Sequence, residues 1–139
     1  MNANDTIRVM QDSIFTKIVK GEIPCHKVYE DDKTLVFLDI HPAQPGHTLV
    51  IPKKQVEFVW DLDEATYQAV MATVQKVALR LRDVMGTKYI GERIEGLGVP
   101  HAHVQLIPFN TLAEWYTPQD MDAEPDHAAL ADLAKKLAF

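Results

Sequence analysis

PHAHVQLIP, residues 100–108, sets two histidines and a glutamine at alternate positions of an otherwise apolar run. Side chains alternate between the faces of a β-strand, so His101, His103 and Gln105 share one face. Ala102, Val104 and Leu106 share the other, which suits a core. Residues two apart on one face lie roughly 7 Å from each other, so two imidazoles and an amide converge on one small patch. A half-exposed strand, a metal site and a catalytic site would each write this pattern. They require different company elsewhere in the chain.

The flanks place the run in an α+β domain. Before it, TKYIGERIE (87–95) reads as a strand and the glycine-rich EGLGVP (95–100) as a turn whose backbone amides can approach an anion closely. Val70, Val74, Val77, Leu81 and Val84 step by four and three, marking one long helix from about Leu62 to Met85. Gly86 closes it, and Asp61 with Glu64 resembles a capping box at its start. SIFTKIVKGE reads as a short helix capped by Ser13 and ended by Gly21. HKVYEDDKTLVFLDI reads as a hairpin, HPAQPG (41–46) as a loop and HTLVIP (47–52) as a strand stopped by Pro52. After a loop over FNTLAEWYTPQDMDAEP, DHAALADLAKKLA (126–138) is a terminal helix capped by Asp126. The expectation is a mainly antiparallel sheet with one long helix and short terminal helices. Residues 1–12 read as a flexible N-terminus and 13–139 as one domain.

Bulk properties narrow the function. The 139 residues suit a single core, and 47% hydrophobic content is ordinary for a globular protein. A net charge of −6 argues against a nucleic-acid partner, though not against one nucleotide in a local pocket. No apolar run approaches the ~20 residues that span a bilayer, and no secretory signal is visible, so the expected location is cytoplasmic with no membrane partner. Cys25 is the single cysteine, which excludes an internal disulfide.

A zinc site needs a third and usually a fourth ligand. His41 and His47 in the proline loop are candidates, but with His26 and His127 they show no recognised ligand spacing. A catalytic imidazole needs one ring nitrogen held by an acceptor so that the other carries a free lone pair. The Gln105 amide, two residues on, can donate a hydrogen bond to a phosphoryl oxygen but cannot give up a proton.

IFTKIVKGEIP, KVYEDDKTLVFLDIHPAQPGHTLVIPKK and PHAHVQLIP together resemble the histidine triad (HIT) superfamily, closest to its small branch of nucleoside phosphoramidate hydrolases and bacterial HIT proteins. The resemblance runs from about Ser13 to the terminal helix and implies a HIT-like fold and a homodimer, with the long helix and neighbouring strands at the interface. It implies that His103 attacks the α-phosphorus of an AMP-containing nucleotide to give a nucleotidyl-imidazole, with adenosine phosphoramidates or dinucleoside polyphosphates as substrates. His101 would orient that ring through its backbone carbonyl, His47 would assist near the phosphate and Asp39 would bind the ribose hydroxyls. Phe15, Ile18, Phe37, Ile40 and Leu49 match the apolar pocket around the base. No cofactor is required.

Three departures from the family pattern carry information. Gln105 stands at the third histidine, a variant found among nucleotidyltransferases and phosphorylases, so transfer to phosphate or another acceptor is the alternative to hydrolysis. A catalytically weak nucleotide-binding protein is the third reading. Relatives often bind structural zinc where this chain has Ser13, Thr16 and Gln55 beside His101, so structural zinc is expected to be absent. Where relatives carry Asn and Gly-Gln-Ser to contact phosphate, this chain has Ile90, Gly96, Leu97 and Gly98. The glycine survives and the side-chain donors do not, which predicts altered substrate preference or weak activity.

Overall fold

The computed structural model describes residues 11–139. The flexible segment expected at the N-terminus therefore lies mostly outside the described residues. Gln11 and Asp12 are tied to the domain, by Gln55 Nε2 to the Gln11 carbonyl at 2.8 Å and by Lys20 Nζ to Asp12 at 2.6 Å.

Helix α1 (Ile14–Val19) begins where Ser13 Oγ accepts the Thr16 N–H, as its cap position requires. The hairpin β1 (Lys27–Glu30) and β2 (Thr34–Leu38) turns on Asp31, whose Oδ1 accepts the N–H groups of Lys33 and Thr34. β3 (Thr48–Pro52), β4 (Tyr89–Arg93) and β5 (Val104–Phe109) complete a sheet of order β1-β2-β3-β5-β4, antiparallel throughout. Between β3 and β4 runs helix α2 (Glu64–Met85), closed by Gly86 at φ 67°. α3 (Leu112–Trp115) is a short helix inside the stretch expected to be loop, and α4 (His127–Leu137) is the terminal helix.

Both faces of the sheet are covered. Val36, Leu38, Val50, Ala102, Val104 and Leu106 pack against Val70, Val77 and Leu81 of α2 and Leu130 and Leu137 of α4. On the opposite face Phe15 of α1 joins Leu35, Phe37, Leu49 and Ile51 in a smaller cluster. The alternation in residues 100–108 is thus realised as a two-sided strand, with the polar side chains facing α1.

Two boundaries differ from expectation. Residues 101–103 run ahead of β5 outside its ladder: Pro100 has no N–H, and the Ala102 N–H goes to the Val56 carbonyl at 2.7 Å. The cap of α2 is Asp63, accepting the Thr66 N–H at 3.1 Å, because a 3₁₀ turn at Val59–Asp61 takes up Asp61. Asp63→Ala should lower the melting temperature by a few degrees and Asp61→Ala should leave it unchanged, as read by thermal circular dichroism. The reverse order would restore the capping box at Asp61.

Candidate active site

His103 is buried beside Phe15, whose ring meets it edge-on with centroids 5.4 Å apart. Its Nδ1 lies 2.8 Å from the His101 carbonyl. A carbonyl only accepts, so Nδ1 carries the proton, and in the neutral ring the lone pair is on Nε2. This is the arrangement a nucleophilic imidazole needs, and a backbone atom two residues away supplies it.

The tautomer of His47 follows from the same reasoning. The Ala43 N–H donates to His47 Nδ1 at 3.0 Å, so the ring proton sits on Nε2 and donates to Gln105 Oε1 at 2.9 Å. Gln105 therefore turns its NH₂ away from His47, and that group has no protein partner among the described residues. Asp39 Oδ2 is 3.8 Å from His47 Nε2, close enough for an ion pair were the ring charged. Burial instead pushes the His47 pKa down, outweighing the pull of Asp39, and Arg93 lowers it further. His47 is therefore neutral, and its contact with Asp39 is not a salt bridge.

His101 turns its ring away from this patch. Nε2–H donates to the Pro52 carbonyl at 2.8 Å, leaving Nδ1 to accept from Ser13 Oγ at 2.8 Å. Thr16 Oγ1 donates to Gln55 Oε1, which also accepts the Ser13 N–H at 2.8 Å. Ser13, Thr16, Gln55 and His101, the four positions at which the resemblance raised the question of zinc, thus form a closed hydrogen-bonded network. Two hydroxyls, an amide and an imidazole already committed as acceptor do not suit zinc, which takes thiolate, imidazole or carboxylate. Among the described residues no group of three or more His, Cys, Asp or Glu is placed to hold a metal ion. His26 and His127, 2.9 Å apart, pair with each other at the start of α4.

Burial lowers the pKa of His101 as well as His47, so both stay neutral in the fold below the 6.5 of a free imidazole. The unfolded chain then binds protons that the native state refuses, and stability is lost as pH falls through 6.5 toward the depressed native values. Urea unfolding at pH 7.5 and 5.5 should show a loss on the order of 1 kcal/mol per pH unit. A constant unfolding free energy would mean that both rings protonate freely in the native state.

His103 and Gln105 line a pocket of about 270 Å³ with Phe15, Leu49, Asp39 and Gly98. Gly98, at φ 85°, holds a backbone conformation that a side chain would strain. The other expected pocket residues are placed differently. Phe37 is buried behind Phe15, and Ile18 packs under the same cluster but opens on a separate surface hollow. Ile40 lies in another cavity, of about 370 Å³ between the proline loop and α4, which none of the β5 residues reaches. Ile90 packs on the α2 side of the sheet, so position 90 does not face the pocket of His103.

Glu95, Gln119 and Met121 also line the pocket, and none was singled out from the sequence. Neither was Arg93, directly opposite Gln105 in the ladder and held by Glu95 at 3.3 Å. The alternation of Gly91 and Arg93 against Ile90 and Ile94 was a usable signal for Arg93. Gln119 lies in irregular backbone and gave none.

A family model described as the HIT domain matches residues 20–112. An uncharacterized HIT-like protein of Borreliella burgdorferi is 40% identical over 106 residues, covering 71% of this chain and 76% of that protein. The adenosine 5'-monophosphoramidase of Schizosaccharomyces pombe is 38% identical over 105 residues, covering 68% and 72%. Among solved structures, a HIT-like protein from Bartonella henselae superposes with a TM-score of 0.79 at 33% identity, covering 94% of this chain and 97% of that one.

Proposed function

Because the chain belongs to the HIT domain family, we propose that it is a nucleotide hydrolase that works through a covalent nucleotidyl-His103. The observation that carries this reading is the 2.8 Å hydrogen bond from His103 Nδ1 to the His101 carbonyl, which leaves Nε2 as a ready nucleophile inside the pocket. Nε2 attacks the α-phosphorus of an AMP-containing substrate, the P–N or P–O bond to the leaving group breaks, and water then displaces His103 to release AMP. The free NH₂ of Gln105 and the backbone N–H of Gly98 are donors available to a phosphoryl oxygen, whereas the Val99 N–H is taken by the Leu97 carbonyl. The Schizosaccharomyces pombe relative, by its name an adenosine 5'-monophosphoramidase, supports the phosphoramidate substrate.

The substrates of this reading are adenosine phosphoramidates or dinucleoside polyphosphates. Gln105 has no proton to give, and neutral His47 has committed its own to Gln105. An amine leaving group must be protonated from water, whereas a polyphosphate leaves unaided, so the anhydride should turn over faster. The same feature supports a second reading, transfer to phosphate, because an amide that only holds the phosphoryl group is indifferent to the acceptor. A homodimer belongs to the reading too; the outer edge of β4 is open beside α2 and offers a place for it.

The test is acid-quenched incubation with an adenosine phosphoramidate and with diadenosine tetraphosphate, each with and without added phosphate. An acid-labile adenylyl-protein with AMP as product supports the hydrolase. Phosphate-dependent nucleoside diphosphate favours the transferase, and AMP binding without adduct or turnover leaves only a binding protein.

A further inference from the structure

Between α3 and α4 the chain returns to the pocket and places Gln119 against Asp39, eighty positions away. Gln119 Nε2 donates to Asp39 Oδ2 at 3.0 Å and to the His41 carbonyl at 2.7 Å. Both partners only accept, so they claim both hydrogens of the amide nitrogen and settle which way the amide faces. Gln119 Oε1 is left with its lone pairs and no protein partner among the described residues. Asp39 Oδ1 accepts the His41 N–H at 2.8 Å, so each carboxylate oxygen retains an open lone-pair direction. Gln119 and Asp39 thus present adjacent acceptors, and no donor, on one wall of the pocket that holds His103.

The complement of adjacent acceptors is a pair of neighbouring hydroxyl groups. We propose that Gln119 is a specificity-determining residue that, with Asp39, clamps the cis-diol of a ribonucleotide, Asp39 taking one hydroxyl and Gln119 Oε1 the other. The inference rests on the nucleotide reading above, in which Asp39 already meets the ribose hydroxyls, and adds Gln119 as the second acceptor. The strap that carries Gln119 is fastened before any ligand arrives. Trp115 lies against Gly91 with the Arg93 guanidinium 4.7 Å from its ring centre. Arg93 also donates to the Trp115 carbonyl at 3.2 Å, and Gln44 Nε2 donates to the Glu114 carbonyl at 3.1 Å. Binding therefore orders little of the strap, and the geometry of the clamp is set by the fold.

Titration calorimetry of the full chain with AMP, 2'-deoxy-AMP and 3'-deoxy-AMP tests this. One neutral hydrogen bond should favour AMP over at least one deoxy analogue by roughly three- to tenfold. Gln119→Ala, and Gln119→Met which keeps the bulk of the side chain, should bring that ratio close to one at the hydroxyl Gln119 reads. Preference at the hydroxyl held by Asp39 should persist. Ratios unchanged in both variants, with AMP still bound, would overturn the clamp and leave the nucleotide reading intact. Tighter binding of all three ligands by the variants would overturn it too, since Gln119 would then be an obstruction. If the unaltered protein binds none of the three, the nucleotide reading falls and the clamp falls with it.

Discussion

His103→Ala should abolish the acid-labile adduct and slow turnover by about 10⁴-fold or more, while AMP still binds. Nothing else in the pocket replaces the lost lone pair. The Gln105 nitrogen is an amide, and the Asp39 and Glu95 carboxylates, held by Gln119 and Arg93, are weaker nucleophiles than a neutral imidazole. Direct attack by water is the remaining route, without the division into two easier steps that a covalent intermediate provides. His101→Ala should divide its effects the other way. Its backbone carbonyl remains to hold His103, so a large part of the chemistry survives. The ring's hydrogen bonds to Ser13 and Pro52 are lost, so the larger effect is on stability. Single-turnover quench flow beside urea denaturation separates the two. Adduct formation by His103→Ala at the original rate would remove His103 from the mechanism.

Gly91→Ala should be the most damaging change outside the pocket. A Cβ at position 91 would overlap the six-membered ring of Trp115, so either the strand shifts or the strap lifts. Overpacking of this kind costs about 1–3 kcal/mol, and lifting the strap also withdraws Gln119 from Asp39. The variant should therefore melt earlier and show a raised KM for nucleotide. Tryptophan fluorescence should shift to the red, because Trp60 is already 72% exposed and only Trp115 has shelter to lose. Gly91→Ala combined with Trp115→Ala removes the overlap, so its stability loss should be smaller than the sum of the single losses. Simple additivity would mean that the two residues do not meet.

Local features were the legible part of this chain. The cap at Ser13, the valine stripe of α2 and the period-two alternation from Ala102 to Leu106 each depend on neighbours a few residues apart, and each is realised. The hydrogen bond that frees His103 spans two residues, and it is the one that the family resemblance implies. The cap of α2 was misplaced because Asp61 and Asp63 are equivalent as letters, and only the 3₁₀ turn ahead of the helix separates them. Side chains approaching from distant segments were harder. Arg93 meets Gln105 only through the β4–β5 register, and Gln119 reaches Asp39 through backbone with no period at all. Ile40 is placed in a different cavity for a related reason: it follows the end of β2, where the strand's alternation no longer says which way a side chain points.

The chain of hydrogen bonds from Ala43 through His47 to Gln105 runs in one direction only. Its first donor is a main-chain N–H, which cannot turn round, and each later group is forced to receive on one side and give on the other. The face that Gln105 shows to an incoming anion is therefore written in the backbone of the proline loop, two groups away from the pocket. A residue without an N–H at position 43 would free the imidazole to exchange its proton and the amide to rotate. The pocket would then meet a phosphate with a carbonyl oxygen in place of an NH₂, changing from attraction to repulsion without any substitution among the residues that line it.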